Sequence, residues 1–207
     1  SDKKKNYSKV TKLLVKPNKK QLSKKIALDE TYLTYQAKGF VNQNRRGISK
    51  DKIGIACAID EDGNYVVHTA DRGRPTSSTL IDIFKNTIRP GSIVISDSQR
   101  SYHQLMDALN IKWVKIPSGE KSKDGYTLEM VNHLHDRIKA FFRGKRNVMT
   151  HYLQGYLALF QYSELHTMMI GSEMFQDEFM KINNILSGIR NKDICPEVNL
   201  YKTLYEC

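Results

Sequence analysis

Ile93-Val94-Ile95-Ser96-Asp97 decides the architecture. The first three residues are apolar and β-branched with no polar alternation, as a strand covered on both faces should be. Such strands lie inside α/β sheets, and this one carries Asp97 to its carboxyl end, where sheets open into a crevice. Just upstream, Pro90-Gly91 is a stop, and Thr76-Ser77-Ser78 after Pro75 offers a cap for a helix whose Leu80, Ile81, Phe84 and Ile88 share one face.

Working outward, Ile26 to Tyr35 is rich in β-branched and aromatic residues around Asp29 and reads as the first strand. Residues 38–51 are polar and basic. Ile53–Ile59 and Tyr65–Thr69 flank Asp60-Glu61-Asp62-Gly63-Asn64, which predicts a hairpin. Downstream follow a short helix around Tyr102–Leu109 and a strand at Ile111–Ile116. A long amphipathic helix then runs from Thr127 to Phe142, with Leu128, Val131, Leu134, Ile138, Phe141 and Phe142 on its apolar side. Residues 149–166 and 172–189 read as two further helices. The whole predicts an α/β domain with a mixed sheet flanked by helices, followed by a helical extension.

Composition limits the function. No apolar run approaches the ~20 residues of a membrane span. The net charge of +11 is concentrated at the amino terminus, where residues 1–25 hold ten lysines against the single acid Asp2. That arm reads equally as a polyanion binder or as a solvated linker. Cys57, Cys195 and Cys207 are odd in number and far apart, which fits a reducing cytoplasm better than a disulfide framework or a zinc ribbon. No apolar leader precedes the first strand.

Side chains alternate along a strand, so Asp29 and Glu30 point to opposite faces and cannot serve one site together. Asp29 and Asp97, on neighbouring strands, can share a divalent cation. Taken singly, each has an ordinary reading: Asp97 as a turn or helix cap, Asp29 as a salt-bridged strand acid. Asn132 and Lys139 stand seven residues apart in the long helix and project from nearly one side; alone they would be a solvated flank. His133 and His135 point about 200° apart, which disfavours a joint zinc site. Trp113 reads as core.

The order of segments carries more than any one of them. Leu28-Asp29-Glu30-Thr31-Tyr32, Pro90-Gly91-Ser92, Ser96-Asp97-Ser98-Gln99-Arg100-Ser101-Tyr102, then Asn132 with Lys139, and finally Thr150-His151-Tyr152-Leu153-Gln154-Gly155-Tyr156 resemble the DDE transposases of bacterial insertion sequences. The similarity is to the D-D-N subgroup with a D-E-T-Y opening. The resemblance implies an RNase H-like (retroviral integrase-like) fold. The implied division is a basic arm or linker over 1–25, the catalytic domain over 26–162 and a helical extension over 163–207.

It further implies a two-metal polynucleotidyl transferase and endonuclease using Mg2+ or Mn2+, with Asp29 bridging both ions, Asp97 and Asn132 completing one site each, and Lys139 on a DNA phosphate. The expected partners are double-stranded DNA, as transposon ends and target, and further copies of the chain on that DNA, on the bacterial nucleoid. Two departures stand out. Most of the superfamily carries Glu where this chain has Asn132, which adds no charge, and Glu129 is a fallback ligand. The zinc ribbon and helix-turn-helix that usually precede the domain are absent from this sequence. The alternatives are an RNase H-like nuclease that does not join strands, and a domesticated, inactive DNA-binding protein.

Overall fold

A computed structural model describes residues 21–167 except 42, 44, 45, 121, 146 and 147. Its sheet has five strands in the order β3-β2-β1-β4-β5, with β1 (Lys25–Thr34) at the centre. β2 (Lys52–Asp60) and β3 (Tyr65–Arg72) extend it antiparallel on one side. β4 (Ile93–Asp97) and β5 (Lys112–Ile116) run parallel to β1 on the other. This is the mixed sheet of an RNase H-like domain, as the sequence led us to expect.

Alternation sorts the strands' side chains between two layers. On one face Ile26, Leu28, Ala56, Ala58 and Val94 pack with Leu80 and Phe84 of α1 (Ser77–Phe84) and with Tyr102, Leu105 and Met106 of α2 (Ser101–Leu109). On the other, α3 (Glu129–Arg143) lies over β1 and β2 and buries Val131, Leu134, His135, Ile138 and Phe142. Trp113 packs half-buried against the first layer and donates its indole N–H to Ser96 Oγ at 2.8 Å, a core role.

Local chemistry sets the connections. The Asp60 carboxylate accepts the backbone N–H groups of Asp62 and Asn64 at 3.1 and 2.9 Å, and Gly63, at φ +81°, turns the β2–β3 hairpin. Thr76 caps α1 by accepting the N–H of Thr79. A second hairpin was not anticipated: β6 (Ser122–Lys123) and β7 (Tyr126–Thr127) are joined by Asp124-Gly125, both left-handed at φ 50° and 79°. Two-residue strands have no readable period, and only the Asp-Gly pair signals them.

Residues ahead of 26 also take part in the fold. Leu22 is buried, bridges Ile88, donates its N–H to Thr87 O and accepts that of Arg89, both at 2.8 Å. Lys24 and Lys25 meet the acids Asp62 and Glu61 of the first hairpin at 2.9 and 4.0 Å. At the far end, a single 3-10 turn (Thr150–Tyr152) leads into α4 (Leu153–Thr167), which belongs to a second compact unit and buries Leu153, Leu157 and Phe160 at helical spacing. This helix runs through the expected boundary at residue 162. The helix expected over 172–189 and the arm over 1–20 lie outside the described residues, as do Cys195 and Cys207. Among the described residues no helix is long and apolar enough to cross a membrane.

Candidate active site

Asp29 sits midway along the central strand, opposite Cys57 of β2. Its other neighbour is β4, where pairing runs from Lys25 opposite Ile93 to Ala27 opposite Ile95. Carried on two residues, the same register sets Asp97 beside Asp29. In-register residues of parallel strands share a face, so both carboxylates lie on the α3 side of the sheet.

The electrostatics agree with this placement. Asp29 is half-buried and its pKa is raised to about 6, first by burial and further by the neighbouring charge of Asp97. The backbone N–H of Glu30, which donates to Asp29 Oδ1 at 2.8 Å, and the ammonium of Lys139 pull the other way. Asp97 Oδ1 accepts the N–H of Gln99 at 3.0 Å, a tight side-chain turn. It does not cap α2, whose first turn has no side-chain cap at Arg100. The described ion pairs leave out both aspartates.

From the long helix, Lys139 reaches the field of Asp29 while its head stays exposed. One turn before it, His135 is buried with the Asp29 backbone carbonyl facing its ring. Its pKa falls to about 4 through burial first and Lys139 second. Asn132, three residues before His135 on the same side of α3, is exposed and forms no hydrogen bond through its side chain among the described residues. His133 is exposed where His135 is buried, so the two do not act together. No three acidic, histidine or cysteine side chains among the described residues are grouped as a metal ion would require.

Glu30 takes the opposite face, as alternation demands. It is buried against Tyr102 and raised to about 7, first by burial. Cys57 is buried too, which pushes its thiol up, away from reactive thiolate. Beyond the carboxyl ends of β4 and β5 opens a cleft of about 420 Å3, lined by Asp97, Ser98, Gln99, Ile116 to Glu120 and Leu128, with Arg74 on its wall. Sequence reasoning did not single out Arg74. It lies in a Gly-Arg-Pro loop after β3, and only the sheet order brings it across from Asp97.

The ISXO2-like transposase domain family matches residues 21–164. A search of curated proteins gives no match. Among solved structures, the chain is similar to one in the simian T-cell lymphotropic virus intasome in complex with PP2A regulatory subunit B56 gamma, at 16% identity and TM-score 0.46, covering 67% of this chain and 48% of that one. It is also similar to the Mos1 strand transfer complex (14%, TM-score 0.32, covering 79% and 60%). The Mos1 mariner paired end complex with Mn gives 16% and TM-score 0.31, covering 83% and 64%. The chain thus spans less than two thirds of each of these structures. At such scores the fold rests on the observed sheet order.

Proposed function

Because this chain belongs to the ISXO2-like transposase domain family, we propose that it cuts DNA at the ends of an insertion sequence and joins them to target DNA with two divalent ions. The observation that carries the reading is the parallel β1–β4 register up to Ala27 opposite Ile95, which carried on two residues sets Asp97 beside Asp29 on one face. Burial, and the nearby charge of Asp97, disfavour the ionised form of Asp29, and this oxygen donor set suits Mg2+ or Mn2+. Such ions, when bound, supply activation of the attacking oxygen and stabilisation of the leaving one.

The chain's own groups hold and orient. Asp29 and Asp97 provide the carboxylates, and Asn132 the third ligand through its amide oxygen. What favours Asn132 over Glu129 is its place in α3 seven residues before Lys139, which sets the two side chains on nearly one side of the helix. Lys139, near Asp29 and exposed, would hold a phosphate next to the scissile bond, and Arg74 one further along the strand lying in the cleft. Water attacks first and frees a 3′-hydroxyl at the transposon end. That hydroxyl then attacks the target strand and displaces a 3′-oxygen, so no protein nucleophile is needed, consistent with the raised Cys57 thiol. Duplex DNA and further copies of the chain on that DNA are the proposed partners, at the bacterial nucleoid.

The test is incubation of the chain with insertion-sequence end DNA and a target duplex in Mg2+ or Mn2+. Nicked and joined products are expected, and Asp97→Ala should give neither. Nicking without joining would mean a hydrolytic nuclease, and binding without nicking an inactive DNA-binding protein.

A further inference from the structure

Glu30 is a buried acid, 7% exposed, that points away from the proposed metal ligands. Its carboxyl faces the Tyr102 hydroxyl, which favours its charged form, but Oε1 and the hydroxyls of Tyr32 and Tyr102 make no hydrogen bond of good geometry. An apolar side chain would fill this place at less cost, since an unpaired buried polar group costs roughly 1–3 kcal/mol.

One residue links it to the other face. Gln99 Nε2 donates to Glu30 Oε2 at 3.5 Å and to Ser101 Oγ at 2.7 Å, while the backbone N–H of the same Gln99 donates to Asp97 Oδ1 at 3.0 Å. Backbone pairing between β1 and β4 ends at Ala27 and Ile95, two residues short of the aspartates. Beyond that point the described ladder does not tie the two strands, and Gln99 does.

We propose that Glu30 is a positioning residue that, by holding the Gln99 side chain, fixes the direction in which Asp97 presents its free carboxylate oxygen toward Asp29. The inference rests on the metal-site reading above. It explains why two successive acids on one strand serve a single centre: Asp29 binds, and Glu30 sets its counterpart from behind. Outer partners of this kind are worth about 10–100-fold in metal affinity. Hydrogen-bond acceptance is what the role needs, and an amide oxygen supplies it as well as a carboxylate.

The experiment measures Mn2+ binding by titration calorimetry, without DNA, beside Mn2+-dependent nicking and the thermal midpoint. Glu30→Met should fold at least as stably as the wild type yet bind Mn2+ about tenfold more weakly. Gln99→Ala should weaken binding equally, and the double variant should be no worse than either single one, because both break one link. Glu30→Gln should restore wild-type binding. Unchanged binding in Glu30→Met or Gln99→Ala, or losses that multiply in the double variant, would overturn the proposal. Should Glu30→Met fail to fold, Gln99→Ala and Glu30→Gln decide it alone. Asp97→Ala is the control: if it binds Mn2+ like the wild type, the metal-site reading itself falls, and this inference with it.

Discussion

Asp97 stands one strand over from Asp29, in the same register and on the same face of the sheet. Burial first, and the charge of Asp97 after it, hold Asp29 at a pKa of about 6 against an ordinary 3.8, a cost in the protein without metal. Asp29→Asn should therefore stabilise the metal-free protein at pH 8 by about 1–3 kcal/mol, since a shift of one unit is worth about 1.4 kcal/mol. It should also lower nicking at least a hundredfold. Denaturant melts in chelator, with nicking assays beside them, check both; a destabilised Asn variant would contradict the placement.

Asn132 and Glu129 share the first turns of α3, and their substitution patterns should separate them. Asn132→Ala is expected to abolish nicking with fold and DNA affinity nearly intact. Asn132→Glu should keep some activity and tighten Mn2+ binding, because it adds a charge to the ligand set. Glu129→Ala should change little. The reverse pattern would hand the role to Glu129.

His135 predicts an acid sensitivity. Its folded pKa is about 4, lowered mainly by burial, against 6.5 for the ordinary side chain. Between these values the unfolded chain binds a proton that the folded one refuses, so its contribution to stability is full above pH 6.5 and lost as the pH falls toward 4. Relative to His135→Gln, the wild type should lose on the order of 2 kcal/mol over that window. A stability difference that stays constant with pH would mean that the ring is not buried in its neutral form.

The amino-terminal lysines divide at residue 21. Deleting residues 1–20, which hold eight lysines, should weaken binding to all duplexes alike and flatten its salt dependence. The log-log slope should fall by up to about 0.9 for each phosphate that the arm no longer neutralises. An unchanged slope, or an effect on one sequence only, would refute a phosphate-binding arm. Leu22→Ala, by contrast, should cost roughly 2–5 kcal/mol of stability, because Leu22 is buried just ahead of β1.

Much of the fold was legible in the sequence alone, and so was the placing of Asp29 and Glu30 on opposite faces. The wholly apolar Ile93-Val94-Ile95 and the turn at Asp60-Glu61-Asp62-Gly63-Asn64 gave strand identity, because burial on two faces and tight turns leave strong local signatures. The alternation rule separated Asp29 from Glu30 correctly. Leu22 escaped notice because a single apolar residue after a lysine run has no period, and only the bridge to Ile88 reveals it. Arg74 and the Glu30–Gln99 link escaped for another reason: they join residues 23 and 69 positions apart, and sequence spacing carries no trace of such proximity.

The chain that follows α3 is tied to the end of β1 by two hydrogen bonds: Gln36 N–H to Thr150 Oγ1, and Thr150 N–H to Gln36 O, both at 2.8 Å. As the ribosome delivers the chain, both aspartates emerge long before α3, and the clasp at Thr150 comes later still. A polypeptide stalled before residue 129 owns two acids but neither Asn132 nor Lys139. On the metal-site reading proposed above, an unfinished translation product holds only part of the ligand set, and the site is complete only once α3 has been made.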